Sequence, residues 1–225
     1  MLAKMIVRSL LGAVLLGLVL FLPAGTLAWP EAWLFIALFI GLGGATGVWL
    51  WKTDPDLLAE RLKSPVDASQ RPRDRVLMAT ILLLFWSWFI FMALDARRFG
   101  WSTAPVWAEA LGAVLIVVAF AGWAQVLRAN HFAAVTVRVQ AERHQTVITT
   151  GPYAVVRHPM YAYALLFMAG TPLMLGSLWG LAGLALFIPL LAARALGEEA
   201  ILIDGLSGYR AYAGKVRFRL LPGLW

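Results

Sequence analysis

Four uncharged stretches, residues 9–30, 32–51, 76–94 and 110–127, alternate with polar segments along the first half of the chain. Each is near the ~20 residues that cross a ~30 Å hydrocarbon core as helix, so four membrane-spanning helices are predicted. A fifth stretch, 159–193, carries no charge over 35 residues and is interrupted by Gly170, Pro172, Gly176, Ser177 and Pro189. It is too long for one crossing and predicts a hairpin of two short helices turning near Gly176. The expected fold class is an all-α membrane protein, a polytopic helical bundle of about six spans. A re-entrant final hairpin satisfies the same pattern.

The polar segments carry their own signals. Asp54-Pro55 followed by an apolar face at Leu57, Leu58 and Leu62 predicts an N-capped interfacial helix over 54–64. Val135 to Val139 alternates with period two, and Val147 to Thr150 is again β-branched, which predicts short extended pieces. Two regions follow: residues 1–127 with four spans and the interfacial helix, and residues 128–225 with the hairpin and nearly all polar groups able to build a site.

Composition sharpens the class. The chain is 61% hydrophobic and 14% charged, against roughly 45–50% and about 25% in soluble domains. Lys4 and Arg8 before an apolar run imitate a signal peptide, but that run is longer than a secretory h-region and more spans follow; it is expected to be a first span. The absence of cysteine excludes disulfides, zinc-thiolate sites and thiol nucleophiles. A net charge of +7 lies between apolar runs rather than in a compact basic domain, which argues for anionic lipid headgroups and against nucleic acid. Lys and Arg fall 17 on one set of segments against Arg97 and Arg98 on the other. Both termini and the long polar segments are therefore predicted to be cytoplasmic.

Gly41 to Gly47 imitates a dinucleotide loop but sits inside a span with no preceding strand, so Gly43 and Gly47 are expected to serve helix packing. His131, His144 and His158 lack zinc-site spacing, and no metal is expected. Gly151-Pro152 makes a turn, Pro159 suits the first turn of a helix, and Arg157-His158 stand where that helix enters the membrane. A helix N-terminus with an arginine beside it suits an anionic group; anchoring to anionic lipid explains the same residues. Arg194 and Glu198 have i, i+4 spacing for a local pair, which leaves Glu199 unexplained. Two acids at the membrane edge suit a cationic or hydroxyl-bearing ligand. A short hairpin brings them beside Arg157 and His158.

Taken in order, His144-x-x-Val147, Gly151-Pro152-Tyr153, Arg157-His158-Pro159-x-Tyr161, the hairpin, Glu198-Glu199, Gly208-Tyr209-Arg210-Ala211-Tyr212 and Arg217-Phe218-Arg219-Leu220-Leu221-Pro222 form a series. It resembles the isoprenylcysteine carboxyl methyltransferase family and, more widely, the phospholipid methyltransferases of the same membrane superfamily. The resemblance covers roughly the last 85 residues; the spacing from Glu199 to Tyr209 departs from it by one residue. It implies S-adenosylmethionine as methyl donor and S-adenosylhomocysteine as product. By the same analogy His144, Val147, Gly151, Tyr153, Arg157, His158, Tyr161, Glu198 and Glu199 would bind the cofactor, in a cytoplasmic C-terminal cap, with Arg157, His158 and Glu199 closest to the chemistry. The implied substrate is lipophilic or prenylated and delivered by membrane lipids, with carboxyl O-methylation expected. Amine N-methylation, thiol S-methylation, an NADPH-dependent sterol-type reductase, and a non-enzymatic carrier or scaffold are the alternatives. A carrier needs intramembrane ionisable residues along a pathway, and the uncharged stretches offer none.

Overall fold

A computed structural model describes residues 2–66 and 70–225. Among these, eight α-helices form: α1 (Leu2–Ala24), α2 (Pro30–Thr53), α3 (Pro55–Arg61), α4 (Pro72–Ala93), α5 (Val106–Ala129), α6 (Pro159–Met174), α7 (Leu184–Gly205) and α8 (Tyr209–Lys215). Proline occupies the first turn of α2, α3, α4 and α6, where its missing N–H has no helical partner to lose. Asp54 caps α3 by accepting from the Leu57 N–H at 3.0 Å. Leu57 and Leu58 then bury against Leu50 and Leu127 at the site end of the bundle.

Five helical segments are long and apolar enough to cross a membrane: α1, α2, α4 with its π-helical extension to Phe99, α5, and Trp179–Gly205. The chain is a multi-pass integral membrane protein. Helix α6 has only 16 residues, about 24 Å at 1.5 Å per residue. It nonetheless runs antiparallel to α5 through most of the bundle, from the Trp123 indole donating to the Met160 carbonyl at one end to Gly176 beside Glu109 at the other. Large apolar side chains such as Leu10, Leu83 and Val114 stay exposed on the outside, as lipid-facing positions do. Inside, Phe35, Phe39, Phe89, Phe120 and Phe167 interlock through tilted and edge contacts at centroid spacings of 5.6–6.2 Å.

The tightest seam joins α5 to α6. A Cβ on Gly112 would stand 2.6 Å from the Gly170 carbonyl and closer still to the Met174 nitrogen; one on Gly170 would stand 2.7 Å from the Gly112 carbonyl. Backbone meets backbone there. Gly43 and Gly47, expected to pack helices, do less. Gly43 has only the Phe120 ring at 3.9 Å, and Gly47 faces the Met5 side chain, so the pair adjoins side chains of two different helices.

Other expectations are corrected. Gly176 does turn the hairpin, with φ +78, but the second arm runs past residue 193 to Gly205 with Pro189 inside it. Residues 135–139 form no strand, and no strand occurs among the described residues. Side chains take the carbonyls a sheet partner would use: Arg194 donates to Val135 O at 2.7 Å and Arg61 to Ala133 O at 3.0 Å. Asp95, just beyond the third uncharged stretch, is fully buried in the π turn. Ser177 and Ser102 donate hydroxyls to it at 2.6 and 2.7 Å, tying the hairpin turn to α4.

Candidate active site

The site is assembled at the end of the bundle where α5 stops, α6 starts and α7 ends. Gly151, at φ +59, opens a 3-10 turn (Gly151–Ala154) in a conformation that a side chain resists. That turn delivers Tyr153. His158 is the N-cap residue of α6, and Pro159 follows at its first turn. The Arg157 and His158 N–H groups donate to the carbonyls of Phe218 and Arg219 at 2.9 and 2.8 Å, so the C-terminal tail straps the start of α6.

Glu199 is the electrostatic centre behind this wall. One oxygen lies 2.9 Å from Arg157 Nε and 3.2 Å from His158 Nε2; the other accepts from Arg219 Nε at 3.1 Å. The side chain is only 7% exposed, and a carboxylate so placed is tolerable only because cations surround it. It does not line the cavity. The neighbouring Glu198 does, about 100° further round the helix. Its carboxylate accepts from the Tyr161 hydroxyl at 2.7 Å and stands 3.8 Å from His158 Nδ1. The Tyr161 oxygen in turn accepts from Arg194 Nε at 3.0 Å. The expected Arg194–Glu198 pair is thus replaced by a chain with a phenol between its ends.

On the opposite wall Asn130 donates to the Tyr153 hydroxyl at 2.8 Å, and the Tyr212 hydroxyl donates to the Tyr153 carbonyl at 2.7 Å. Burial pushes the Tyr153 phenol well above its usual range and Tyr212 up to about 12, so both are neutral at working pH. Tyr212→Phe removes one of the bonds that hold α8 to this wall, the other being Arg157 to the Ala213 carbonyl at 3.3 Å. It is expected to lower stability by about 1 kcal/mol, seen as a lower midpoint in a thermal melt in neutral detergent. An unchanged midpoint would show that the Tyr212 hydroxyl does not contribute to holding α8.

These groups enclose a cavity of about 360 Å³, within the usual range for a small-molecule site. Its lining combines the polar Tyr153, Arg157, His158 and Glu198 with the apolar Met78, Ile81, Trp123, Ala164 and Leu191. Of the residues singled out in the sequence, Val147, Tyr153, Arg157, His158, Tyr161 and Glu198 line it. His144 is exposed, caps a 3-10 turn at φ +51, and is not brought to the wall; Gly151 shapes the approach without lining it. Tyr209 and Tyr212, where the spacing departs from the motif, both line it. Asn130, Arg194 and Arg61 were not legible as site residues. Arg194 had only its helical spacing to Glu198 as a signal, and Asn130 and Arg61 had none.

Two buried polar atoms on the wall lack hydrogen-bond partners: the Tyr209 hydroxyl and Arg157 Nε, whose N–H is not aimed at the Glu199 oxygen it lies beside. The Tyr209 hydroxyl is thereby open to a partner that a ligand would supply. The donor set fits an amino-acid-bearing nucleoside: Glu198 for an ammonium or ribose hydroxyls, Arg157 for a carboxylate.

Residues 107–204 match the phospholipid methyltransferase family, a stretch from α5 through α7 that includes the hairpin and both glutamates and stops short of α8 and the tail. No curated protein matches the chain. With the helical membrane architecture, the match displaces the reductase and carrier alternatives: the chain carries a phospholipid methyltransferase family domain and is an integral membrane methyltransferase that uses S-adenosylmethionine.

Proposed function

We propose that the cavity between α5, α6 and α7 is the methyl-transfer site and that it works on a lipophilic acceptor delivered from the bilayer, esterifying a carboxylate as isoprenylcysteine-type enzymes do. One observation carries this reading: the same cavity is lined by the polar Arg157, His158 and Glu198 and by the apolar Met78, Ile81 and Leu191. A water-soluble donor and an apolar acceptor therefore meet without either leaving its preferred phase. The split of 17 basic residues against 2 supports a cytoplasmic mouth with both termini on that side.

S-adenosylmethionine supplies an activated methyl group. The chain's task is alignment and exclusion of water, because the transfer is an in-line displacement. Arg157 and Glu198 would hold the cofactor's charged groups, Tyr153, Tyr161 and Val147 would contact it, and His144 and Gly151 would shape the approach. His158, stacked on Tyr161 at 5.6 Å, fixes the rim. Glu199 positions Arg157 and His158 from behind. A carboxylate acceptor needs no general base. The alternative acceptor, a phospholipid amine, has the family match in its favour, and His158 beside Glu198 is then the candidate base.

Purified protein is expected to bind S-adenosylhomocysteine in a calorimetric titration, and Arg157→Ala to weaken that binding at least about tenfold, or 1.4 kcal/mol. No heat from intact, folded protein overturns the site assignment. Mass spectrometry of membrane lipids treated with enzyme and donor identifies the acceptor. A product that releases methanol on mild alkali is an ester, and a base-stable one favours the amine.

A further inference from the structure

Helix α3 lies outside the matched stretch 107–204, yet Arg61 at its C-terminal end lines the cavity. Arg61 lies one turn beyond Leu57 and Leu58, whose burial against Leu50 and Leu127 seats α3 on the bundle. Four arginines line the cavity: Arg61, Arg138, Arg157 and Arg194. Arg138 is matched by Glu60 and Glu142, and Arg157 by Glu199. Arg194 is committed to the Tyr161 hydroxyl, the Val135 carbonyl and the Met78 sulfur, with Glu198 beyond that hydroxyl.

Arg61 differs. Among the described residues its only hydrogen bond is to the Ala133 carbonyl at 3.0 Å, and no described carboxylate pairs with it. That bond docks α3, but one carbonyl does not neutralise a guanidinium, and an unpaired charge in a partly apolar wall is costly. Burial accordingly pulls its pKa down. A guanidinium has five donors, so most of its capacity is unused. The cofactor would not balance this excess: its carboxylate would go to Arg157, and its sulfonium and ammonium would add positive charge.

We infer that Arg61 is a specificity-determining residue that receives the acidic group of the acceptor lipid, a carboxylate or a phosphate, and so selects anionic amphiphiles. The inference rests on the cavity being the methyl-transfer site. It places acceptor recognition on the interfacial helix between the second and fourth helices and cofactor recognition on the matched domain. Trp123 and Met160, which line the cavity near the same end, offer the apolar surface that the acyl or prenyl chain needs.

The test is a set of calorimetric titrations on the full chain in neutral phosphatidylcholine nanodiscs, saturated with S-adenosylhomocysteine, using dodecanoate, dodecyl phosphate, dodecanol and inorganic phosphate. The wild type is expected to bind the two anionic amphiphiles at least about tenfold more tightly than dodecanol, and inorganic phosphate more weakly than dodecyl phosphate. Arg61→Gln is expected to lose that preference while its affinity for S-adenosylhomocysteine stays within about twofold, and Arg61→Lys to recover part of it. An Arg61→Gln protein that keeps the full preference overturns the inference. So does one that loses cofactor affinity with an unchanged melting midpoint, which makes Arg61 a cofactor contact. Inorganic phosphate binding as tightly as dodecyl phosphate overturns it too, by making the site one for free anions. Wild-type protein that binds no S-adenosylhomocysteine overturns the cavity assignment instead, and the same titrations without it still decide the role of Arg61.

Discussion

Glu199→Ala is expected to produce the largest loss of any single substitution at the site: about 3–5 kcal/mol of stability, the range for removing one partner of a buried charge pair. Arg157, His158 and Arg219 all lie within 3.2 Å of this carboxylate. Without it two guanidinium groups repel across a buried gap, and the Arg219 tether of the tail to α7 is lost. Arg157 then has only the Ala213 carbonyl at 3.3 Å to orient it, so binding of S-adenosylhomocysteine is expected to fall along with the melting midpoint. Glu199→Gln keeps the shape and one acceptor oxygen and should fall between the two. A Glu199→Ala protein with wild-type melting and wild-type cofactor affinity would sink the positioning role. Loss of affinity in Glu198→Ala, with melting unchanged, would separate the cavity-facing glutamate from the buried one.

Gly112→Ala should be the most damaging change far from the site. The added methyl meets backbone atoms of α6 at Gly170 and Met174, which cannot rotate away as a side chain would. Either α6 moves or the helices separate, and overpacking of this kind costs about 1–3 kcal/mol. Because α6 carries Arg157-His158 at its other end, a shift is expected to reduce methyl transfer as well as the melting midpoint. Gly44→Ala is the control. A Cβ there meets nothing within 4 Å, so stability should change by no more than about 0.5 kcal/mol. Equal melting of the two variants would show that the α5–α6 seam is not close-packed in the membrane.

The site motifs were legible to different depths. Arg157, His158, Tyr161 and Glu198 stood out because a proline-started helix and a hairpin of fixed length must bring their ends together, and the cavity wall has all four. Glu199 stood out with them, but adjacency in sequence hid the division of labour. Neighbouring residues on a helix point about 100° apart, so one glutamate faces the cavity and the other faces the cations behind it. Arg194 looked like half of a local pair. The Tyr161 phenol, from another helix, comes between it and Glu198, and no spacing rule within one helix reveals an intruder from a second.

By itself, the sequence determined the class of the molecule, its first four spans and its donor chemistry. Runs of about 20 uncharged residues have no stable place except a bilayer, and turn and cap signals are local, so Asp54, Pro159 and Gly176 marked their elements before any contact was known. Only the tertiary structure decided which glycines join helices, that residues 135–139 serve side chains rather than a sheet, and that Arg61 reaches a cavity formed far along the chain. Those outcomes depend on what each group meets after folding. In a low-dielectric wall the decisive fact about a charge is whether a counter-charge faces it, and that is a property of packing.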